Sequence, residues 1–165
     1  MASRRKGRIL AFQALYSWDI HYSQSGDRSI PEDLLDFSWV ENDANEKLDD
    51  ALLSFSRLLI KGTTENINEI DRTIQDHLDN WEISRLNRVD LAVLRMSAYT
   101  LMYQGDMPPS IVIDEAVEIS REYGTDDSYR FINGVLDGIR KSLNGTASSE
   151  PAGNLQNENS VRLPK

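Results

Sequence analysis

Apolar positions recur at helical spacing along almost the whole chain. In the first segment Ala11, Leu15, Trp18 and Tyr22 fall at i, i+4, i+7 and i+11, one face of a helix. Gly26 and Pro31 punctuate it, and residues 32–39 (EDLLDFSW) predict a short second helix. Residues 44–61 set Leu48, Leu52, Phe55, Leu58 and Leu59 on one stripe. Thr63 or Thr64 is the expected cap of the next helix, with Ile67, Ile70, Ile74 and Leu78 on its inner face. Trp81 and Ile83 fall in or near the connection that follows.

Residues 85–104 (RLNRVDLAVLRMSAYTLMYQ) are the most apolar segment. Val89, Leu91, Val93, Leu94, Met96, Leu101 and Met102 point several ways, as in a central helix packed from more than one side. Gly105 is placed to end it. Pro108 and Pro109 suit the first turn of the next helix, where a missing N–H costs little. That helix turns Val112, Ala116, Ile119 and Tyr123 inward and stops at Gly124, a suitable C′ residue. The last helix is expected to begin at Thr125 or Asp126, with Asp126 and Asp127 in its dipole-favoured first turn. Phe131, Val135, Ile139 and Leu143 follow at helical spacing. Gly134 sits within it at a cost of about 1 kcal/mol relative to Ala, which points to close approach of a neighbouring backbone or a ligand.

From Asn144 the chain turns polar and loses its period, so residues 144–165 read as a disordered tail. No strand alternation or hairpin dipeptide appears. The fold class is all-α, with six or seven helices, and residues 1–143 form the folded domain.

Composition narrows the function. The chain has no cysteine, which excludes disulfides, thiolate metal sites and cysteine nucleophiles and fits a reducing cytoplasm. No stretch approaches the roughly 18 apolar residues of a membrane span. The only histidines, His21 and His77, lie in different segments without a ligand-like partner. Asp114, Glu115, Glu118 and Glu122 read as a solvated helix face. No phosphate-cradling glycine loop is present, so no enzyme, metal or cofactor is expected.

Charge is segregated. The whole chain has 27 acidic and 18 basic residues, net −9. Four of the basic ones, Arg4, Arg5, Lys6 and Arg8, lie in the first eight residues. The remainder therefore has 14 basic against 27 acidic residues, net −13. Two readings of the basic run stand side by side: a solubilising terminus, or an arm that contacts phosphates. Four neutralised phosphates on a single strand would give a log–log salt slope of roughly −3. Phe12, Gln13 and Tyr16 follow closely. With about 100° per residue, Arg5, Phe12 and Tyr16 share one side, beside the core stripe, as a platform for a base. Packing alone also accounts for Phe12.

These residues also carry a family resemblance. SRRKGRILAFQALYSWDI resembles the start of the NusB family of bacterial transcription antitermination factors, whose members lead from an Arg-rich run into a Q-A-L-Y-type helix. LNRVDLAVLRMSAYTLMY resembles the family's V-[DE]-x-A-[VI]-L-R helix. MPPSIVIDEAVEISREYGTDDSYRFINGVLDGI resembles its proline-started I-[ND]-E-A-[VI]-E helix and G-x-x-[DE]-S-x-x-F-[VI]-N-G-[VI]-L segment. The match covers about residues 3–142, with 23–80 alike only in helical character.

The resemblance implies about seven helices in two packed subdomains and a non-enzymatic role without cofactor. It implies binding of single-stranded boxA RNA, chiefly of ribosomal transcripts, as a heterodimer with NusE, a small-subunit ribosomal protein, within an RNA polymerase antitermination complex. Carried over by position, the RNA-binding residues are Arg4, Arg5, Lys6, Arg8, Gln13, Tyr16, Asp127, Arg130 and Phe131, and the acid facing NusE is Asp90. From the residues alone, Asp90 also reads as a solvent-exposed polar position, Phe131 as core, and Arg130 as a partner of Asp126 or Asp127. Two other functions stay open: a helical adaptor that binds proteins through residues 85–104, and a NusB-like accessory module of an RNA-modifying system acting through a second chain. Homodimerisation of the free chain through the partner surface also stays open.

Overall fold

The computed structural model describes residues 2–40 and 48–162, with side chains for 4–22, 24–40 and 48–145. Among these there are seven α-helices and no strand: α1 Ala2–Ser25, α2 Glu32–Asp36, α3 Asp50–Glu65, α4 Ile67–Asp76, α5 Arg88–Tyr103, α6 Pro109–Tyr123 and α7 Ser128–Arg162. A single 3-10 turn, Ile83–Arg85, precedes α5.

The helix ends follow local chemistry. The Asp49 carboxylate accepts from the Leu52 N–H at 2.8 Å and caps α3. Asn87 does the same for α5 through the Asp90 N–H. Pro109 opens α6. Gly26, at φ 74°, follows α1 in the left-handed region that glycine tolerates.

Several sequence expectations need correction. Thr63 and Thr64 do not cap α4. Both are buried inside α3, where the Thr64 hydroxyl donates to the Ile60 carbonyl. The break falls at Asn66, whose amide donates to the Gly62 carbonyl at 2.8 Å. Leu58 leaves the α3 stripe and is exposed, because it lies a helical step round from buried Leu59. Gly124 ends α6 in an extended conformation, not a left-handed one. Glycine is needed there because a Cβ would lie 2.7 Å from both the Ser120 carbonyl and the Ser128 hydroxyl. Asp126 and Asp127 lie in the turn before α7, which starts at Ser128. Gly134 meets no neighbouring backbone: nothing lies within 4 Å of where its Cβ would be. Residues 44–47 of the predicted third segment lie outside the described residues, as do the side chains of 146–165. The bounds of α7 run to Arg162.

The helix α5 is the centre. Every residue from Asp90 to Thr100 is buried, and α1, α3, α4, α6 and α7 all pack on it. Helices α1–α3 pack together, α4 joins α5–α7, and one continuous apolar core unites the two groups. Gly62 lets α3 press on α5: a Cβ there would sit 2.1 Å from the Tyr99 ring. Gly7 does the same for α1 on Phe55 of α3, and the Ser56 hydroxyl lies 2.9 Å from the Gly7 carbonyl.

One charge is embedded in this packing. Arg95 of α5 donates Nε and Nη2 to the two oxygens of Asp71 on α4, both at 2.9 Å. Its Nη1 donates to Asp19 Oδ1 of α1 at 3.0 Å. Arg88 closes the group from the surface at 2.8 Å from Asp19 Oδ2.

Two predictions follow from this packing. Asp19→Ala strands part of a buried guanidinium and is expected to destabilise the chain by about 3–5 kcal/mol. Arg88→Ala, at a half-exposed position, should cost no more than about 1 kcal/mol. Equal effects in denaturant titration would contradict the burial argument. Gly62→Ala is expected to cost about 1–3 kcal/mol through overpacking on Tyr99, whereas Gly134→Ala should stabilise by up to about 1 kcal/mol. Thermal melts of the two variants separate crowded from open glycines.

Candidate nucleic-acid interface

The basic run is not a loose arm. It forms the first turns of α1, and helical geometry sends its side chains in different directions. Arg4 is exposed, with its guanidinium 4.8 Å from the Phe55 ring centroid. Arg5 turns toward α6 and forms a fork on Glu115, Nε–Oε2 3.0 Å and Nη2–Oε1 3.2 Å, with half its side chain still exposed. The Glu115 carboxylate, with Glu118 and Glu122 behind it, holds the Arg5 pKa above its ordinary value. Arg8 differs from Arg4 and Arg5 in its burial. One turn on from Arg4, its side chain is only 10% exposed, wedged 5.6 Å from the Phe55 ring and 3.9 Å from Glu115. Burial pulls its pKa down. Lys6 is half-buried.

Further along α1, Phe12 is buried against Tyr123, ring centroids 5.0 Å apart, so it is not available as a base platform. Gln13 and Tyr16 stay half-buried. Tyr16 lines an open groove of about 460 Å³ with Asn87, Arg88, Val89, Tyr123 and Thr125. The groove is amphipathic, with two phenol rings, an amide and a guanidinium around it.

At the α6–α7 corner, Asp127 and Arg130 are exposed and Phe131 is half-buried against the core. Two residues that sequence reasoning missed connect this corner to α1. The Arg121 guanidinium lies 4.7 Å from the Tyr129 ring centroid. Arg130 lies 5.5 Å from the same centroid, and its Nε donates to the Tyr129 hydroxyl at 2.9 Å. Tyr129 is thus flanked by two cations. Arg121 and Arg5 line one shallow groove with Ile9, Glu118 and Glu122. The surface therefore runs from Arg4 and Arg5, past Arg121 and Tyr129, to Arg130 and Phe131. Guanidinium and aromatic faces in such a run suit stacked, single-stranded bases and their phosphates.

Asp90 departs from expectation. It is 7% exposed, not a surface acid. Its N–H donates to Asn87 Oδ1, its Oδ2 accepts from Asn87 Nδ2 at 3.2 Å, and its Oδ1 is buried without a hydrogen-bond partner. Burial pushes its carboxyl above the usual carboxylate range, and the Ser128 hydroxyl at the start of α7 pulls weakly the other way. The third position of α5 therefore braces the side chain of Asn87, the cap of the helix. Among the described residues no cluster of His, Asp or Glu is arranged to hold a metal ion, and no helix is long and apolar enough to cross a membrane.

Known proteins resemble the chain over most of its length. The model described as the NusB family matches residues 5–141. The transcription antitermination protein NusB of Treponema denticola is 52% identical over 137 residues, which cover 83% of this chain and 95% of that one. That of Treponema pallidum (strain Nichols) is 51% identical over 139 residues, covering 84% and 93%. Among solved structures, T. maritima NusB superposes with a TM-score of 0.69 at 35% identity, covering 84% of this chain and 90% of that one. A crystal structure of the antitermination factors NusB and NusE in complex with dsRNA superposes with a TM-score of 0.69 at 26% identity, covering 86% and 98%.

A carboxyl raised by burial holds its proton more tightly in the folded chain than in the unfolded one. Above the ordinary carboxylate range the folded chain thus bears a cost for the buried Asp90 charge, and at low pH, with both states protonated, the cost vanishes. Asp90→Asn keeps the Asn87 contact without the charge. It is expected to raise Tm at neutral pH, with the gain fading as pH falls toward about 4 and absent below it. A neutral-pH Tm that is unchanged or lower would mean that the α5 dipole offsets the burial.

Proposed function

Because the chain belongs to the NusB family, we propose that it serves transcription antitermination by holding single-stranded boxA RNA of nascent, chiefly ribosomal, transcripts. In this reading the chain acts as a heterodimer with NusE inside an RNA polymerase antitermination complex. The observation that carries the reading is the continuous run of cations and rings from Arg4 and Arg5 through Arg121 and Tyr129 to Arg130 and Phe131. The structural relative that contains NusE and RNA supports the choice of partners.

The roles differ by position. Arg4 and Arg5 attract phosphates, and Arg5 exchanges its fork on Glu115 for one on a phosphate oxygen. Arg8 positions rather than contacts: it braces α1 against Phe55 and Glu115. Tyr16 and Gln13 line the α1 side. Asp127, which repels phosphate, accepts from a base amino group. Asp90 acts on the partner side through the start of α5, where it is bonded to Asn87. The acidic remainder of the surface is offset by a basic partner, which makes RNA affinity depend on the heterodimer.

Titrations of boxA RNA across salt, with and without NusE, test this. Arg4→Ala and Arg5→Ala should each flatten the log–log salt slope by about 0.7. Arg8→Ala should lower Tm and leave the slope nearly unchanged. If NusE and the arginine substitutions leave RNA affinity as it was, the reading is wrong.

A further inference from the structure

Gly134 has no packing role, yet it lies within α7, in its second turn, where glycine is unfavourable. It lines a slot of about 350 Å³ between the end of α4 and α7, and the absent side chain leaves that wall open. His77, Leu78 and Val135 line the interior, and Asp79, Trp81, Arg130 and Phe131 stand at the rim. Trp81 is the most exposed large apolar residue described, at 57%. We propose that this slot is a stacking site for one base of the bound RNA, with Trp81 as its principal platform. The inference rests on the RNA reading above and extends its surface beyond Arg130 and Phe131 to the far edge of α7.

An exposed tryptophan alone carries little. Here the loop that bears it is fixed. Asn80, at φ 62°, adopts a left-handed conformation that turns the chain just before Trp81. The Gln75 side chain then clamps both sides of the turn: Nε2 donates to the Trp81 carbonyl at 2.8 Å and Oε1 accepts from the Ile83 N–H at 2.9 Å. The His77 ring is held through Nδ1 by the Thr73 carbonyl at 2.8 Å, with its carbon edge toward Gly138. Trp81 is thus presented on a built loop with its ring left in solvent. Such a ring, at the mouth of a slot with apolar walls from Leu78 and Val135 and polar groups from His77, Asp79 and Arg130, is placed to receive another flat ring.

The occupant follows from size, charge and continuity. The slot is too short for the extended groove that an amphipathic helix needs, but it suits a single planar group. Arg130 supplies a cation at the rim for the adjoining phosphate, and Asp79 supplies an acceptor for a base amino group. Arg130 is shared with the Tyr129 cluster, so a strand that crosses Arg121 and Tyr129 reaches the slot without a break.

The test uses the full chain with NusE, fluorescent boxA RNA and four variants. Trp81→Ala and Gly134→Leu are each expected to weaken RNA binding about tenfold, within the range for loss of one base stack. Neither should change the salt slope, since neither removes a charge. Trp81→Phe should retain most of the affinity and lose the RNA-induced quenching of tryptophan fluorescence. Gly134→Leu should melt at or above the wild-type Tm, which separates a filled slot from a damaged fold. Arg4→Ala is the reference for the RNA reading. If Arg4→Ala weakens binding while Trp81→Ala and Gly134→Leu bind as wild type, the slot proposal fails and the RNA reading stands. If Trp81→Ala weakens NusE binding but not RNA binding, the slot is a protein surface and the proposal is likewise overturned. If the wild-type heterodimer does not bind the RNA, both fall.

Discussion

Arg95 is the constraint around which the helices are arranged. It is a full charge in the centre of α5, among residues that are otherwise apolar or small and buried on every side. A buried guanidinium must find acids, and it finds Asp19 on α1 and Asp71 on α4. Apolar faces tolerate sliding because one methyl group is much like the next. A three-helix ion group does not, since a shift of one residue leaves charge without a partner. The register of α1 against α5 is thereby set, and with it the place where the start of α1 emerges beside α3 and α6. Much of the interface geometry is a consequence of that choice.

The sequence was informative where a property repeats and uninformative where it depends on a single meeting in space. Helix existence is a periodic property, so the all-α fold, the central position of residues 88–103 and the proline start of α6 could all be read directly. Helix ends depend on one or two contacts. Thr63 and Thr64 have the chemistry of caps, but burial against the core put them inside α3. Gly124 has the chemistry of a left-handed stop, but the crowding of Ser120 and Ser128 is what requires it. In the interface, Arg4 and Arg8 look equivalent in sequence and differ by what stands opposite them. The Arg121–Tyr129 contact joins two helices across a turn, and no spacing rule within one helix would find it. Asp90 looked like a surface acid in an apolar run because a buried acid that braces a cap and an exposed one leave the same mark on a hydropathy pattern.

The acidic character of the chain shapes how its cations work. Glu115, Glu118 and Glu122 form a ridge along α6 beside the basic start of α1. Arg5 is already engaged there, so a polyanion gains only the difference between two forks on the same guanidinium. Attraction at this surface is accordingly modest for nucleic acid in general. In the proposed RNA complex, discrimination falls to groups that do not depend on net charge, such as the rings of Tyr16, Tyr129 and Phe131 and the carboxylate of Asp127. The basic partner of that proposal would raise the overall attraction without altering that local selectivity.

Gly7 gives the start of α1 a further property. With no side chain to hold α1 away, the first turns lie flat on Phe55 and are tied down by Ser56. The backbone that bears Arg4 and Arg5 is therefore ordered before any ligand arrives. Flexible basic tails lose chain entropy each time they wrap a polyanion, and they adapt to almost any that they meet. A basic helix seated on a core has little backbone freedom left to lose. Its charges keep fixed distances, so a ligand must match their spacing rather than be moulded to it. The small contact between Gly7 and Phe55 makes this end of the molecule a template.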